Sequence, residues 1–199
     1  MIIWKQNNVQ VSAFIPIKKY SHSKGRLASI LSEQQRSDLS EAMAAQTIKA
    51  LIQSNICDSI TLVTNDPDLI IEGASTYFTE SSLNQALNEA IACNESDNPI
   101  LIMHADLPRI NGRDLDNLVA SFNESVISIV PDIEESGTNC LLYDPSMKFN
   151  LQFGINSYAL FVTEFKANDY RWNQHSIESL QYDLDSEDDY FKLKDYVRG

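Results

Sequence analysis

Four cations stand together in an acidic chain. Lys18, Lys19, Lys24 and Arg26 are four of the 15 Lys and Arg residues in a protein of 199 residues and formal net charge -13. They follow a short apolar run, Phe14, Ile15 and Ile17, where the sequence breaks into a polar loop. Positive charge clustered against the overall sign suits a site for a polyanion, most simply a phosphate-bearing small molecule. A solvated surface loop is the competing reading.

The second centre is acidic. His104-Ala-Asp106-Leu-Pro108 directly follows the apolar run from Pro99 to Met103. An Asp at a strand end, fixed by a following Pro, suits a divalent cation; a turn or a helix cap is the alternative. No second His lies near His104, so packing or hydrogen bonding fits it better than metal ligation. Asp183-Leu-Asp185 alternate, and in an extended segment they point to opposite faces, so at most one meets the same cation as Asp106. Ser186 with Asp189 signals a helix start, where Glu187, Asp188 and Asp189 favour the helix dipole. Gly137-Thr138-Asn139 and the run Phe153-Gly154 to Ser157 combine glycine with a helix start, an arrangement that suits an anion. Turn chemistry explains either alone. Ser82-Leu-Asn84 opens a helix, with Ser82 as its cap.

These residues need elements to position them. Strands are expected at Val11 to Ile17, Ser59 to Val63, Thr76 to Phe78, Pro99 to Met103, Val126 to Val130, Cys140 to Tyr143 and Ile177 to Tyr182. Helices are expected at Ser32 to Gln53, Ser82 to Ala92, Asn111 to Phe122, Asn156 to Lys166 and Ser186 to Tyr196, with a short helical turn after Asp66-Pro67. Ser32 and Gln35 form a capping box, and Leu39, Met43, Ile48 and Leu51 share a face of the first long helix. Such alternation implies an α/β fold with a mostly parallel central sheet flanked by helices, in one domain over residues 1–199. Ligands in such folds bind beyond the carboxyl ends of the strands, where the unusual residues fall.

Composition excludes several classes. The sequence pI near 4.5 argues against a nucleic-acid binder. No apolar run approaches the roughly 20 residues needed to span a bilayer, and the N-terminus lacks a signal-peptide pattern. Cys57, Cys93 and Cys140 are odd in number and widely spaced, so neither a zinc site nor a disulfide framework is indicated, and a cytoplasmic location is expected. There is no phosphate-binding P-loop, no G-x-G-x-x-G and no G-x-S-x-G.

In order along the chain, Ile15-Pro-Ile-Lys18, Lys24-Gly-Arg26-Leu27, Ala105-Asp-Leu-Pro108, Gly137-Thr-Asn139, Phe153-Gly-x-x-Ser157 and Asp183-Leu-Asp185 resemble one family. It comprises the 2-phospho-L-lactate, phosphoenolpyruvate and 3-phosphoglycerate guanylyltransferases of deazaflavin (coenzyme F-420) biosynthesis. The resemblance implies a Rossmann-like, glycosyltransferase-A-like nucleotidyltransferase fold. It implies that Lys18, Lys24 and Arg26 hold the triphosphate of GTP and act with Asp106 in catalysis, with Asn84 as a further nucleotide contact. It implies Mg²⁺ on Asp106 and Asp185, with Asp183 as a third candidate. It places the acceptor, a small phospho-carboxylic acid, against Thr138, Gly154 and Ser157. A homodimer is compatible with it. Gly25 stands where the family usually has Ser, and Ser82 where a Gly usually precedes Leu-Asn. Molybdopterin and sugar nucleotidyltransferases are the enzymatic alternatives, but they usually carry a Gly-rich loop where this chain has Pro16-Ile-Lys18-Lys19. A non-catalytic nucleotide binder is the third reading.

Overall fold

The computed structural model of the protein describes residues 9–20, 23–54 and 56–197. Among the described residues seven strands form one sheet: β1 (Val11–Ile17), β2 (Cys57–Thr64), β3 (Ser75–Phe78), β4 (Ile100–Met103), β5 (Val126–Pro131), β6 (Thr138–Tyr143) and β7 (Arg171–Gln174). Six α-helices accompany them: α1 (Glu33–Ser54), α2 (Leu83–Ala92), α3 (Gly112–Ala120), α4 (Ser157–Ala167), α5 (Glu178–Gln181) and α6 (Glu187–Leu193). The order across the sheet is β3-β2-β1-β4-β6-β5-β7. All neighbours run parallel except β6, which is antiparallel to β4 and β5. The α/β architecture with a mostly parallel sheet is therefore the one expected from the sequence.

The central strands β1 and β4 are apolar because both faces are covered. On one face Ala44, Ile48 and Leu51 of α1 and Leu115 and Leu118 of α3 pack with Ile15, Leu62 and Leu101. On the other, Leu87 of α2 and Phe161 and Phe165 of α4 pack with Phe14, Ile102 and Leu141. Each of these fully buried Leu, Ile and Phe side chains stabilises the fold by about 1.5–3 kcal/mol. The capping box at the start of α1 forms in both directions: Ser32 N donates to Gln35 Oε1 at 2.9 Å and Gln35 N to Ser32 Oγ at 3.3 Å.

The sheet opens where the candidate site lies. The β1–β4 register runs only from Ser12↔Ile100 to Phe14↔Ile102, while β1 stays paired to β2 as far as Ile17↔Thr64. Pro16 has no N–H to extend the ladder. The chain goes to one side of β1 for β2 and β3 and to the other for β4. A crevice at the carboxyl ends of β1 and β4 is the topological switch point where ligands bind in open α/β sheets.

Three sequence expectations are corrected. Ile177 to Tyr182 is not a strand; Glu178–Gln181 forms the single-turn helix α5. Ile177 and Leu180 are three residues apart, and such spacing suits a helical turn. The last strand is instead β7, whose exposed Arg, Asn and Gln residues carry no apolar alternation. Asp66-Pro67 opens a plain turn rather than a helical one. The closing helix is also shorter: α6 ends at Leu193 and Lys194–Tyr196 tightens into a 3₁₀ turn.

Candidate active site

Lys24 is the centre of the site. Its Nζ donates to Asp106 Oδ2 at 2.6 Å and to Asp185 Oδ1 at 2.7 Å, and its side chain is 6% exposed. The residue sits in the left-handed region, φ 51° and ψ 39°, at the start of the 3₁₀ turn Gly25–Leu27. That conformation costs an L-residue about 1–2 kcal/mol. The two ion pairs hold it there. Burial pulls the ammonium toward neutrality, but Asp106 and Asp185 outweigh it and hold the proton firmly on Lys24. Burial likewise pushes the Asp106 carboxyl up, and Lys24, with a smaller part from His104, brings it below the usual carboxylate range.

The Asp106 loop is tied down by three hydrogen bonds, two from α1 and one from the C-terminal segment. Thr47 Oγ1 of α1 donates to the Ala105 carbonyl at 3.3 Å, and Gln46 Nε2 to the Pro108 carbonyl at 2.8 Å. Leu184 N donates to the Asp106 carbonyl at 3.1 Å, which joins this loop to the Asp183–Asp185 segment. The basic loop joins the same segment through a small core of Leu27, Leu31, Met43, Leu184 and Leu193, and through the Ser29–Glu187 hydrogen bond. Cations and carboxylates far apart in sequence thus share one rigid support.

Arg26 is 77% exposed, with a guanidinium nitrogen 4.0 Å from Asp185 Oδ2. Lys18 is exposed just beyond β1. Arg26 thus faces solvent beside the carboxylate that pairs with the buried Lys24. A side chain at Gly25 would meet open space, so the departure from Ser leaves no cavity.

Asp183 completes a trio of carboxylates. Its carboxyl is pushed up to about 7, first by burial and then by the negative charges of Asp106 and Asp185. Among the described residues no three His, Cys, Asp or Glu side chains stand in ready metal-binding geometry; the Lys24 ammonium lies between two of them instead. The donor set still fits a hard divalent cation. It offers carboxylate oxygens, and Asp106 Oδ1 is buried without a hydrogen-bond partner.

A raised folded pKa means that folded Asp183 binds a proton which the unfolded chain, near 3.9, gives up. Its contribution to stability is fully present below about pH 4 and is lost as pH rises through about 7. In chelator, Asp183→Asn is expected to remove this decline, with a gain on the order of 2–4 kcal/mol by about pH 8. Urea unfolding across that range checks it; a profile parallel to wild type contradicts the assignment.

The expected acceptor residues lie on the α4 side. Gly154 has φ +130°, a backbone region that requires glycine, and Asn156 is left-handed at φ 57°. The turn they form leads into α4, with Ser157 buried at its first position. Free N–H groups of that first turn suit an anion. Thr138, at the start of β6, is 1% exposed, and its Oγ1 has no hydrogen-bond partner. His104 connects this region to Asp106: its ring lies 5.7 Å from that of Phe153, and its Nδ1 is 3.9 Å from Asp106 Oδ1.

Asn84 is committed elsewhere than expected. Its Nδ2 donates to the Phe153 carbonyl and its Oδ1 accepts from Phe153 N, both at 2.9 Å. It holds the Phe153–Ser157 turn against α2. Gly137 serves the β5–β6 hairpin, where its N–H reaches Asp132 Oδ2 at 2.6 Å and a Cβ would lie 2.8 Å from that oxygen. Sequence singles out neither Gln46 nor Thr47, and it names Asn139 only as the end of the Gly137-Thr138-Asn139 run. The available signal was a polar residue inside an otherwise buried face, as Thr47 and Asn139 both are.

The phosphoenolpyruvate guanylyltransferase of Sphaerobacter thermophilus is 28% identical over 189 residues, covering 91% of this chain and 91% of the relative. The 2-phospho-L-lactate guanylyltransferase of Methanosphaera stadtmanae is 27% identical over 192 residues, covering 90% of this chain and 82% of the relative. Among solved structures, a nucleotidyl transferase from Methanothermobacter thermautotrophicus shares the fold with a TM-score of 0.65 at 15% identity, covering 94% of this chain and 97% of the other. A cytidylyltransferase from Leptospira borgpetersenii does so with a TM-score of 0.60 at 14% identity, over 94% and 85% of the two chains. The family model described as guanylyl transferase CofC like matches residues 11–194, and by that match across nearly its whole length the chain belongs to this family.

Proposed function

We propose that the protein transfers GMP from GTP to the phosphate of a small phospho-carboxylic acid, with release of pyrophosphate, as a step of coenzyme F-420 biosynthesis. The observation that carries this reading is the Lys24 ammonium held between Asp106 and Asp185 at the sheet's switch point, with exposed Arg26 beside Asp185. Phosphoenolpyruvate and 2-phospho-L-lactate are the first acceptors to consider, since they name the relatives' activities; 3-phospho-D-glycerate has the same chemistry.

In the proposed reaction an acceptor phosphate oxygen attacks the α-phosphorus of GTP in line. One P–O bond forms there while the bond to the β-phosphate oxygen breaks, and pyrophosphate carries away the electron pair. The attacking phosphate is already ionised near neutral pH, so little proton transfer is needed. The barrier is the approach of two anions, and fixed cations lower it. Lys18, Lys24 and Arg26 hold the triphosphate. The Gly154–Ser157 turn and Thr138 hold the acceptor's phosphate and carboxylate, and Asn84 sets that turn's position. Mg²⁺, held by Asp106 and Asp185 with Asp183 beside them, would neutralise charge on the nucleotide when bound.

GTP with Mg²⁺ at about 100 times its dissociation constant is expected to stabilise the protein by about 2.7 kcal/mol. ATP at the same concentration should give less. Thermal unfolding measures both. No stabilisation by GTP with Mg²⁺ would contradict the reading.

A further inference from the structure

Asn139 joins the two halves of the acidic cluster. It lies within β6 and is 2% exposed. The β5–β6 register passes from Val130↔Cys140 to Pro131↔Thr138, so Asn139 is the unpaired extra residue of a β-bulge. Bulges re-aim side chains, often beside active sites. Here the side chain reaches α5, where Nδ2 donates to the Leu180 and Gln181 carbonyls, each at 3.1 Å.

The Gln181 carbonyl also accepts from Ile133 N at 3.1 Å, while the Leu180 carbonyl needs another donor. α5 is a single turn, and Tyr182 leaves it in an extended conformation, so its last carbonyls have no helical N–H to accept from. Leu180 is fully buried and Gln181 nearly so. The Asn139 amide satisfies the Leu180 carbonyl and shares the Gln181 carbonyl with Ile133 N, and the two donors together fix where the chain leaves α5. Two residues later comes Asp183, and two after that Asp185. The main chain of Asn139 acts on the other half, since its carbonyl accepts from His104 N at 2.9 Å at the base of the Asp106 loop. A single residue thus holds the Asp106 loop by its backbone and the Asp183–Asp185 segment by its side chain.

We propose that Asn139 is a positioning residue that sets the spacing of Asp106 against Asp183 and Asp185, and through it the affinity of the nucleotide site for a divalent cation. This rests on the guanylyltransferase reading. Residues that orient metal ligands typically change metal affinity by about 10–100-fold when removed.

The test measures binding of a fluorescent GTP analogue, in chelator and in Mg²⁺, for wild type and for Asn139→Leu, which has similar volume and no donor. In wild type, Mg²⁺ strengthens binding. In Asn139→Leu, affinity in chelator should stay within about twofold of wild type, because the basic loop is intact, while the Mg²⁺ enhancement shrinks by about tenfold or more. Tyr170→Phe is the structural control. The Tyr170 hydroxyl accepts from Lys148 N at 3.0 Å and donates to the Lys148 carbonyl at 3.1 Å, in the loop beyond the opposite end of β6 from Asn139. It should lower the melting temperature and leave the Mg²⁺ enhancement unchanged. If Asn139→Leu does not fold, Asn139→Gln decides: it keeps the amide one methylene further out, and an enhancement at least about threefold smaller supports the proposal. An unchanged enhancement in the folded Asn139 variant overturns the positioning role alone. A wild type that binds no GTP analogue removes the guanylyltransferase reading and the positioning role with it.

Discussion

Asp106→Asn is expected to lower turnover by at least about 10²–10³-fold while the protein stays folded. The exchange keeps size and shape and removes one negative charge. The Asp106 loop keeps its ties to Thr47, Gln46 and Leu184, none of which uses the Asp106 carboxylate. Lys24 keeps Asp185, and the Asn oxygen still accepts a hydrogen bond. The loss falls on Oδ1, the buried oxygen with no protein partner, which an amide can no longer offer as a charged ligand. Steady-state pyrophosphate release together with a thermal unfolding curve separates the two effects. Turnover within a few-fold of wild type would remove Asp106 from the reacting centre.

Lys24→Met is the second large effect, and it acts on stability as well as binding. Methionine fills similar space without charge, leaving Asp106, Asp183 and Asp185 close together with no ammonium between them. Removing one partner from a buried ion pair costs about 3–5 kcal/mol. Asp185 is 45% exposed, so solvent screens part of this and the lower end applies. In chelator near neutral pH the melting temperature should fall by roughly 6–12 °C, at 2–4 °C per kcal/mol for a chain of this size. Mg²⁺ alone should restore part of the loss by supplying the missing positive charge. GTP binding should weaken by at least about tenfold, the effect of losing about 1.4 kcal/mol of interaction. An unchanged melting temperature in chelator with unchanged GTP affinity would contradict the central place given to Lys24.

The parts of the site legible in the sequence are those whose signal is local. The four cations announce themselves by clustering against a net charge of -13. Asp106 announces itself by following a wholly apolar strand. The alternation of Asp183 and Asp185 predicts opposite faces in an extended segment; Asp185 meets Lys24 directly, while half-buried Asp183 makes no such pair among the described residues but still feels the charges of Asp106 and Asp185. The meeting of Lys24 with Asp185, 161 residues apart, follows from the packing of Leu27 against Leu184, and no local pattern contains it. For Asn84 the nucleotide role comes from the family resemblance alone, and its carboxamide bonds the backbone of Phe153. The edge strand β7 and the short helix α5 were misread for related reasons. An exposed edge strand has no apolar rhythm to detect, and a single turn is too short for periodicity to tell a helix from a strand. The role of Asn139 depends on a bulge, which is visible only once β5 and β6 are paired.

The most direct test is pyrophosphate release from GTP and Mg²⁺, run separately with phosphoenolpyruvate, 2-phospho-L-lactate and 3-phospho-D-glycerate. The predicted result is release that requires GTP and one of the three acceptors and that Asp106→Asn abolishes. GTP binding without release in the presence of any of them would contradict the proposed transfer.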